Sequence, residues 1–202
     1  VKIPRALRRR AKKMLVSNQT YGKRGEITVP LGLFAYEGDA DMCSALLACG
    51  AKVDETVTIV ALSLKNGAQQ ANRAMAKDVT SLHIASQAGH LEVVALLLDK
   101  GAQVDQATNK GATPLFYASQ YGHLKVVALL LDKGAKVEQV MNKGATPLFV
   151  ASEKGHLKIA AQCLGDRREV HPAPTRRASA LFVASQKGHL EVAALLLDKE
   201  AK

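Results

Sequence analysis

The amino-acid sequence predicts an all-α fold, a solenoid of stacked helix-turn-helix units joined by loops, and three observations carry that expectation. The dipeptide Gly-His recurs at His90, His123, His156 and His189, each step 33 residues long; a fixed period of that size marks a repeat array. The surrounding text repeats with it. Residues 111–123 read GATPLFYASQYGH and 144–156 read GATPLFVASEKGH, with DVTSLHIASQAGH at 78–90 and RASALFVASQKGH at 177–189. Finally, the 202 residues are 48% hydrophobic yet only 4% aromatic, with no Trp, so the core must rest on Leu, Val and Ala in short, closely packed helices.

Taken in chain order, residues 1–28 form a basic N-terminal arm, expected to be extended or disordered. Nine of the 28 Lys and Arg residues fall in 1–25, and no acid precedes Glu26. The remaining chain has 19 basic against 18 acidic side chains, so the net charge of +10 belongs almost wholly to the arm. Arg8, Arg9, Arg10, Lys12 and Lys13 make its densest cluster. The arm is too polar for a secretory signal. The readings left open are a nuclear-localisation cluster, a phosphate-binding tail, the remnant of an organelle transit segment, or a solvated terminus. The first residue is Val rather than Met, which predicts a processed or trimmed product.

Residues 29–77 read as diverged and compressed units. Val29-Pro30-Leu31, Gly38 and LLACGAKVD at 46–54 fit one of them. Thr58 to Gly67 keeps the nine-residue spacing of Thr113 to Gly122, with AQQANRAMAK at 68–77 as a second helix. An alternative register aligns IVALSLKNGAQ at 59–69 with that second helix instead.

Residues 78–202 hold four clear units, at 78–110, 111–143, 144–176 and 177–202, the last incomplete. The 111–143 unit shows why the text folds this way. Thr113 is a good N-cap because its hydroxyl accepts from an amide of the first turn, and Pro114 follows where a missing N–H costs nothing. Gly122 permits the left-handed turn that ends the helix. A second helix then carries Leu124, Val127, Leu130 and Leu131 on one face. Helices near 113–121 and 124–132 should therefore recur every 33 residues. Each is marginal alone and gains stability only against its neighbour. Small Ala at 85, 118, 151 and 184 permits close contact, and Phe116, Phe149 and Phe182 are expected to form a ladder through the stack.

This unit, T-P-L-[HF]-x-A-[AS]-x-x-G-H-L, a Leu-rich helix and then G-A-x-V-[DN], resembles the ankyrin repeat. The resemblance covers 78–202 and extends less fully to about residue 29. Several positions depart from the pattern. The His of T-P-L-H survives only at His83 and is Phe in the other three units. Gln162 and Cys163 replace Leu96 and Leu97 of the 78–110 unit, and Arg167-Arg168 replaces Gly-Ala. An irregular basic loop is therefore expected at 165–177. Glu200 stands where the stopping Gly falls, so either a partial cap closes the stack or more repeats follow.

What the resemblance implies for function is a protein-interaction module or scaffold, its partner held by finger tips and the exposed, concave side of the first helices. Mapped onto this chain, the tips are Gln106, Thr108, Lys110, Gln139, Met141 and Lys143. The helix positions are Gln87, Gln120, Tyr121, Glu153, Lys154, Gln186 and Lys187. Tyr121 stands out, since exposed aromatics are frequent binding anchors. The alternative is a nucleic-acid-associated protein that uses the arm for phosphate contacts, with the stack as a spacer.

No enzyme, cofactor, metal or small-molecule substrate is expected. The four Gly-His histidines recur once per unit, which marks a structural role, as does the recurrence of Ser86, Ser119, Ser152 and Ser185. No H-E-x-x-H, C-x-x-C, G-x-G-x-x-G or phosphate-loop pattern occurs. No apolar run of about eighteen residues is present, so no membrane insertion is expected. Cys43, Cys49 and Cys163 lack framework spacing, which points to a reducing, intracellular setting: cytoplasm or nucleus, with organelle import left open. Arg176-Arg177-Ala178-Ser179 is similar to the Arg-Arg-x-Ser sequence read by cAMP-dependent protein kinase. Ser179 also falls where Thr113 and Thr146 fall, and the favoured reading is a helix N-cap.

Overall fold

The N-terminal arm is where the structure departs first from expectation. A computed structural model describes residues 3–17, 30–59, 76–142, 144–165 and 174–200, and within it the described part of the arm forms helix α1 (Arg5–Ser17) rather than an extended segment. Leu7, Ala11, Met14 and Leu15 recur at helical spacing on one side. Ala11 is fully buried, and the other three pack against the core. The Arg10 guanidinium lies 5.8 Å from the Phe34 ring centroid, a cation–π contact. An apolar stripe too short to notice amid nine cations is what orders this segment.

Helix α2 (Pro30–Glu37) and helix α3 (Ala40–Ala48) form the first hairpin, with α1 packed on α3. Asp39 caps α3, its Oδ1 accepting from the Met42 amide at 2.8 Å. The described ends of the segment read as a compressed unit are strands. Strand β1 (Val57–Ile59) pairs antiparallel with strand β2 (Ala76–Val79), so Thr58 is not a cap and residues 76–77 are not helical. Three consecutive β-branched residues in β1 favour a strand. Val57 pairs with Val79 and Ile59 with Ala76; β2 thus carries one extra residue, and Asp78 takes it up at φ 62°. Residues 60–75, which include Gly67 and most of both proposed second helices, lie outside the described residues.

Four further hairpins follow: α4 (Ser81–Ala88) with α5 (Leu91–Asp99), α6 (Pro114–Tyr121) with α7 (Leu124–Asp132), α8 (Pro147–Glu153) with α9 (Leu157–Gly165), and α10 (Pro174–Gln186) with α11 (Leu190–Glu200). First helices stack in the order α2, α4, α6, α8, α10, and second helices in the order α3, α5, α7, α9, α11. Helix α2 packs directly on α4, and α3 on α5. Among the described residues the stack holds five hairpins, and these residues are all-α apart from the two short strands.

The local signals behave as the residues dictate. Thr113 Oγ1 accepts from the Phe116 amide at 3.2 Å, and Thr146 Oγ1 from the Phe149 amide at 3.1 Å. Pro114 and Pro147 open their helices. Ala85, Ala118, Ala151 and Ala184 are fully buried, within one apolar cluster that runs from Ala11 to Leu196.

Two expectations about 165–182 need correction. Helix α10 begins at Pro174, where proline's fixed φ suits a first turn, so Ser179 lies inside a helix and is not its N-cap. The irregular loop expected at 165–177 is helical from 174 onward, and 166–173 lies outside the described residues. The phenylalanine ladder is also incomplete. Phe116 is 5% exposed and Phe149 half-buried, whereas Phe182 is 69% exposed. Phe116 is covered by Met141 of its own unit's finger and by Ala145 and Val150 of the following unit; among the described residues no unit follows α10 to cover Phe182.

Candidate interaction surface

Every Gly-His histidine joins two units rather than serving its own. The ring Nε2 of His90 lies 2.8 Å from the carbonyl oxygen of Tyr36, His123 2.8 Å from that of Gln87, His156 3.3 Å from Gln120 and His189 3.0 Å from Glu153. In each case the carbonyl belongs to the last turn of the preceding unit's first helix. The imidazole packs on the glycine two residues later. A Cβ on Gly38, Gly89, Gly122 or Gly155 would come within 2.5–2.8 Å of the ring atoms. Glycine at these sites serves two needs, since φ is 72–83° and the ring occupies the side-chain space. Tyr36 thereby takes the same place in its unit as Gln87, Gln120 and Glu153.

A second row of ties runs along the loops. The Asp54 carboxylate accepts from the Gln103 amide at 3.2 Å, and Asp105 Oδ1 from the Lys136 amide at 3.0 Å. Each finger closes on itself: the Thr108 amide donates to the Ala112 carbonyl at 2.9 Å, and the Met141 amide to the Ala145 carbonyl at 2.9 Å. Neighbouring fingers are then joined. The Asn142 amide donates to the Lys110 carbonyl at 3.0 Å, and Asn142 Nδ2 to the Asn109 carbonyl at 3.1 Å.

His83, the one T-P-L-H histidine, is built into this scaffold. The Thr80 backbone N–H donates to His83 Nδ1 at 3.1 Å, so the ring proton sits on Nε2, which donates to the Ala112 carbonyl at 3.2 Å. Burial pushes its pKa down to about 4, against the opposing pull of the Ala112 and Gln106 carbonyls. The ring is neutral and structural.

The residues expected at the interface divide into two groups. Tyr121 (49% exposed), Lys154, Gln186 and Lys187 face solvent; Gln87, Gln106, Lys110, Gln120, Gln139 and Glu153 are half-buried. The Gln87 amide reaches the Tyr121 hydroxyl at 3.4 Å, bridging adjacent units, and Lys154 Nζ lies 3.8 Å from Glu153 Oε2. Two tip positions have work within the loop instead. Thr108 is only 5% exposed, and its Oγ1 accepts from the Ala112 amide at 3.2 Å. Met141 packs against the cluster of Ala112, Phe116 and Val150. Lys143 lies outside the described residues.

Two apolar residues on this surface were missed by sequence reasoning. Tyr36 and Val140 are each 37% exposed. Tyr36 was legible from Gly38, which fixes its register with Gln87, and Val140 from its place between two chosen tip residues.

The basic cluster is exposed throughout. Arg8, Arg9, Arg10, Lys12 and Lys13 all face solvent on α1, and the Arg10 guanidinium also lies near the Phe34 ring. Among the described residues no three His, Cys, Asp or Glu side chains gather in a group able to hold a metal. No helix there is long and apolar enough to cross a membrane. The Cys43 thiol is pushed up to about 12, chiefly by burial and secondarily by Asp39, which removes it as a nucleophile at neutral pH.

In comparison with known proteins, a family model described as ankyrin repeats (three copies) matches residues 31–141 and 136–202. No curated protein matches the chain.

Proposed function

Because the chain belongs to the ankyrin repeat family, whose members are generally protein–protein interaction modules, we propose that it binds a protein partner through the finger side of the stack and acts as a scaffold rather than an enzyme. The interface is formed by the first-helix positions Tyr36, Gln87, Gln120, Tyr121, Glu153, Lys154, Gln186 and Lys187, with Gln106, Lys110, Gln139 and Val140 at the fingers. The observation that supports this reading most is the inter-unit ladder of His–carbonyl and finger–finger hydrogen bonds. It fixes exposed side chains of successive units in one array before any partner arrives, which lowers the ordering cost of association. Tyr121 is the natural anchor, a large exposed ring with only two rotatable angles.

A photo-crosslinking residue installed at Tyr121 or Lys154 tests the assignment. Both should capture one common protein, while the same residue at Lys125 or Lys158, exposed on α7 and α9, should not. Capture from Lys125 and Lys158 alone would place the interface on the opposite side. Replacement of Tyr121, Lys154 and Lys187 by Ala should then weaken that complex at least tenfold without lowering the melting temperature.

A further inference from the structure

Helix α1 presents two faces of opposite character, and among the described residues one is packed and the other is exposed. Leu7, Ala11, Met14 and Leu15 are packed into the core, with the Cys49 thiol 3.7 Å from the Arg8 carbonyl. On the free side, Arg5, Arg8, Arg9 and Lys12 follow one another at intervals of three and four residues. They fall within one sector of roughly 100° of the helix and about 10 Å of its length. All four are exposed, and with Ala6 they line one surface depression. No acidic residue lies in α1. Like charges three and four apart on a helix repel one another, and among the described residues no ion pair reaches this row, so a bound anion relieves the repulsion.

We propose that this row is a binding site for the phosphate backbone of a nucleic acid. Three of its four cations are Arg, whose planar guanidinium matches phosphate oxygens in two-pronged fashion. A polyphosphate chain supplies negative charges at the close, regular spacing the row requires. A membrane surface fits less well. Amphipathic helices bind lipid by burying an apolar face, and the apolar face of α1 is already spent on the stack. Arg10, drawn over Phe34, is not part of the row. The site is separate from the finger surface and does not depend on the protein-partner reading.

Fluorescence anisotropy of the full chain with a short labelled duplex, and with single-stranded RNA of equal length, tests the proposal. With four phosphates neutralised, the logarithm of affinity should fall with the logarithm of salt at a slope of about −4 on duplex, and affinity should drop about a hundredfold between about 50 and 200 mM salt. The exposed-residue variant Arg8→Gln/Arg9→Gln/Lys12→Gln should keep the melting temperature and bring the slope to about −1. The variant Lys52→Gln/Lys125→Gln/Lys158→Gln removes the same net charge from exposed positions elsewhere and should bind like the parent. The proposal is overturned by absence of binding at about 50 mM salt, by equal loss in both variants, or by binding to phosphatidylserine vesicles in preference to both nucleic acids.

Discussion

His123 Nε2 lies 2.8 Å from the carbonyl oxygen of Gln87, thirty-six residues earlier, while its ring fills the space that a side chain on Gly89 would need. The Gly-His dipeptide is thus two halves of two different joints. The histidine reaches back to the preceding unit, and the glycine receives the histidine of the next. Repetition of this joint from Tyr36 to His189 turns short helices into one continuous scaffold, in which the stability of each unit depends on its neighbours.

Stability should rise with pH between about 4 and 6.5, and His83 should account for much of that rise. Its pKa is lowered on folding, so between those values the unfolded chain binds a proton that the folded chain does not. The stabilisation is complete above about 6.5 and is lost as pH falls toward 4, amounting to roughly 3 kcal/mol for the full shift. His83→Phe, the residue found at 116, 149 and 182, should flatten this dependence in denaturant titrations at several pH values. An unchanged slope would remove His83 as its source.

Ser119→Ala should raise stability by up to about 1 kcal/mol. Among the described residues the buried hydroxyls of Ser86, Ser119 and Ser152 have no hydrogen-bond partner, and a buried unpaired hydroxyl is a cost that alanine removes without a change in backbone. Thermal melts of the three single substitutions decide the matter. A loss of stability in all three would mean that the hydroxyls have partners.

Ala11→Glu should lower stability by about 2–3 kcal/mol, because it places a charge at a fully buried position between α1 and the stack. The same change should speed modification of Cys49, whose thiol lies against the Arg8 carbonyl. If both the melting temperature and Cys49 reactivity stayed constant, α1 would not be docked in solution.

Much of this architecture was legible because the chain states it four times over. The Thr-Pro start, Gly-His turn and Leu-rich block each have a local physical cause, so their boundaries at Pro114–Tyr121 and Leu124–Asp132 follow the text. Three features lacked that redundancy. The docking of α1 depends on Leu7, Ala11, Met14 and Leu15, a stripe hidden by surrounding cations and rewarded only by a distant partner in α3. The strand pair at 57–59 and 76–79 is a tertiary contact between segments that spacing alone had assigned to a repeat. The early start of α10 rests on Pro174, where the finger text has already decayed. For the interaction surface, the family pattern identified which positions vary between units. It did not reveal that Thr108 closes its own loop or that Met141 is held by Phe116 and Val150.

The joint between units is tested most directly by a double-mutant cycle of Gly89→Ala and His123→Ala, read by chemical denaturation. Alone, Gly89→Ala should be costly, because it combines a left-handed φ of 81° with collision against the imidazole. His123→Ala alone should cost about 1–3 kcal/mol by leaving the Gln87 carbonyl unpaired. Together the losses should fall short of additive by about 1 kcal/mol or more, since removal of the ring makes room for the new methyl group. Additivity within about 0.5 kcal/mol would mean that the glycine and the histidine act independently, and that the units are not joined through them.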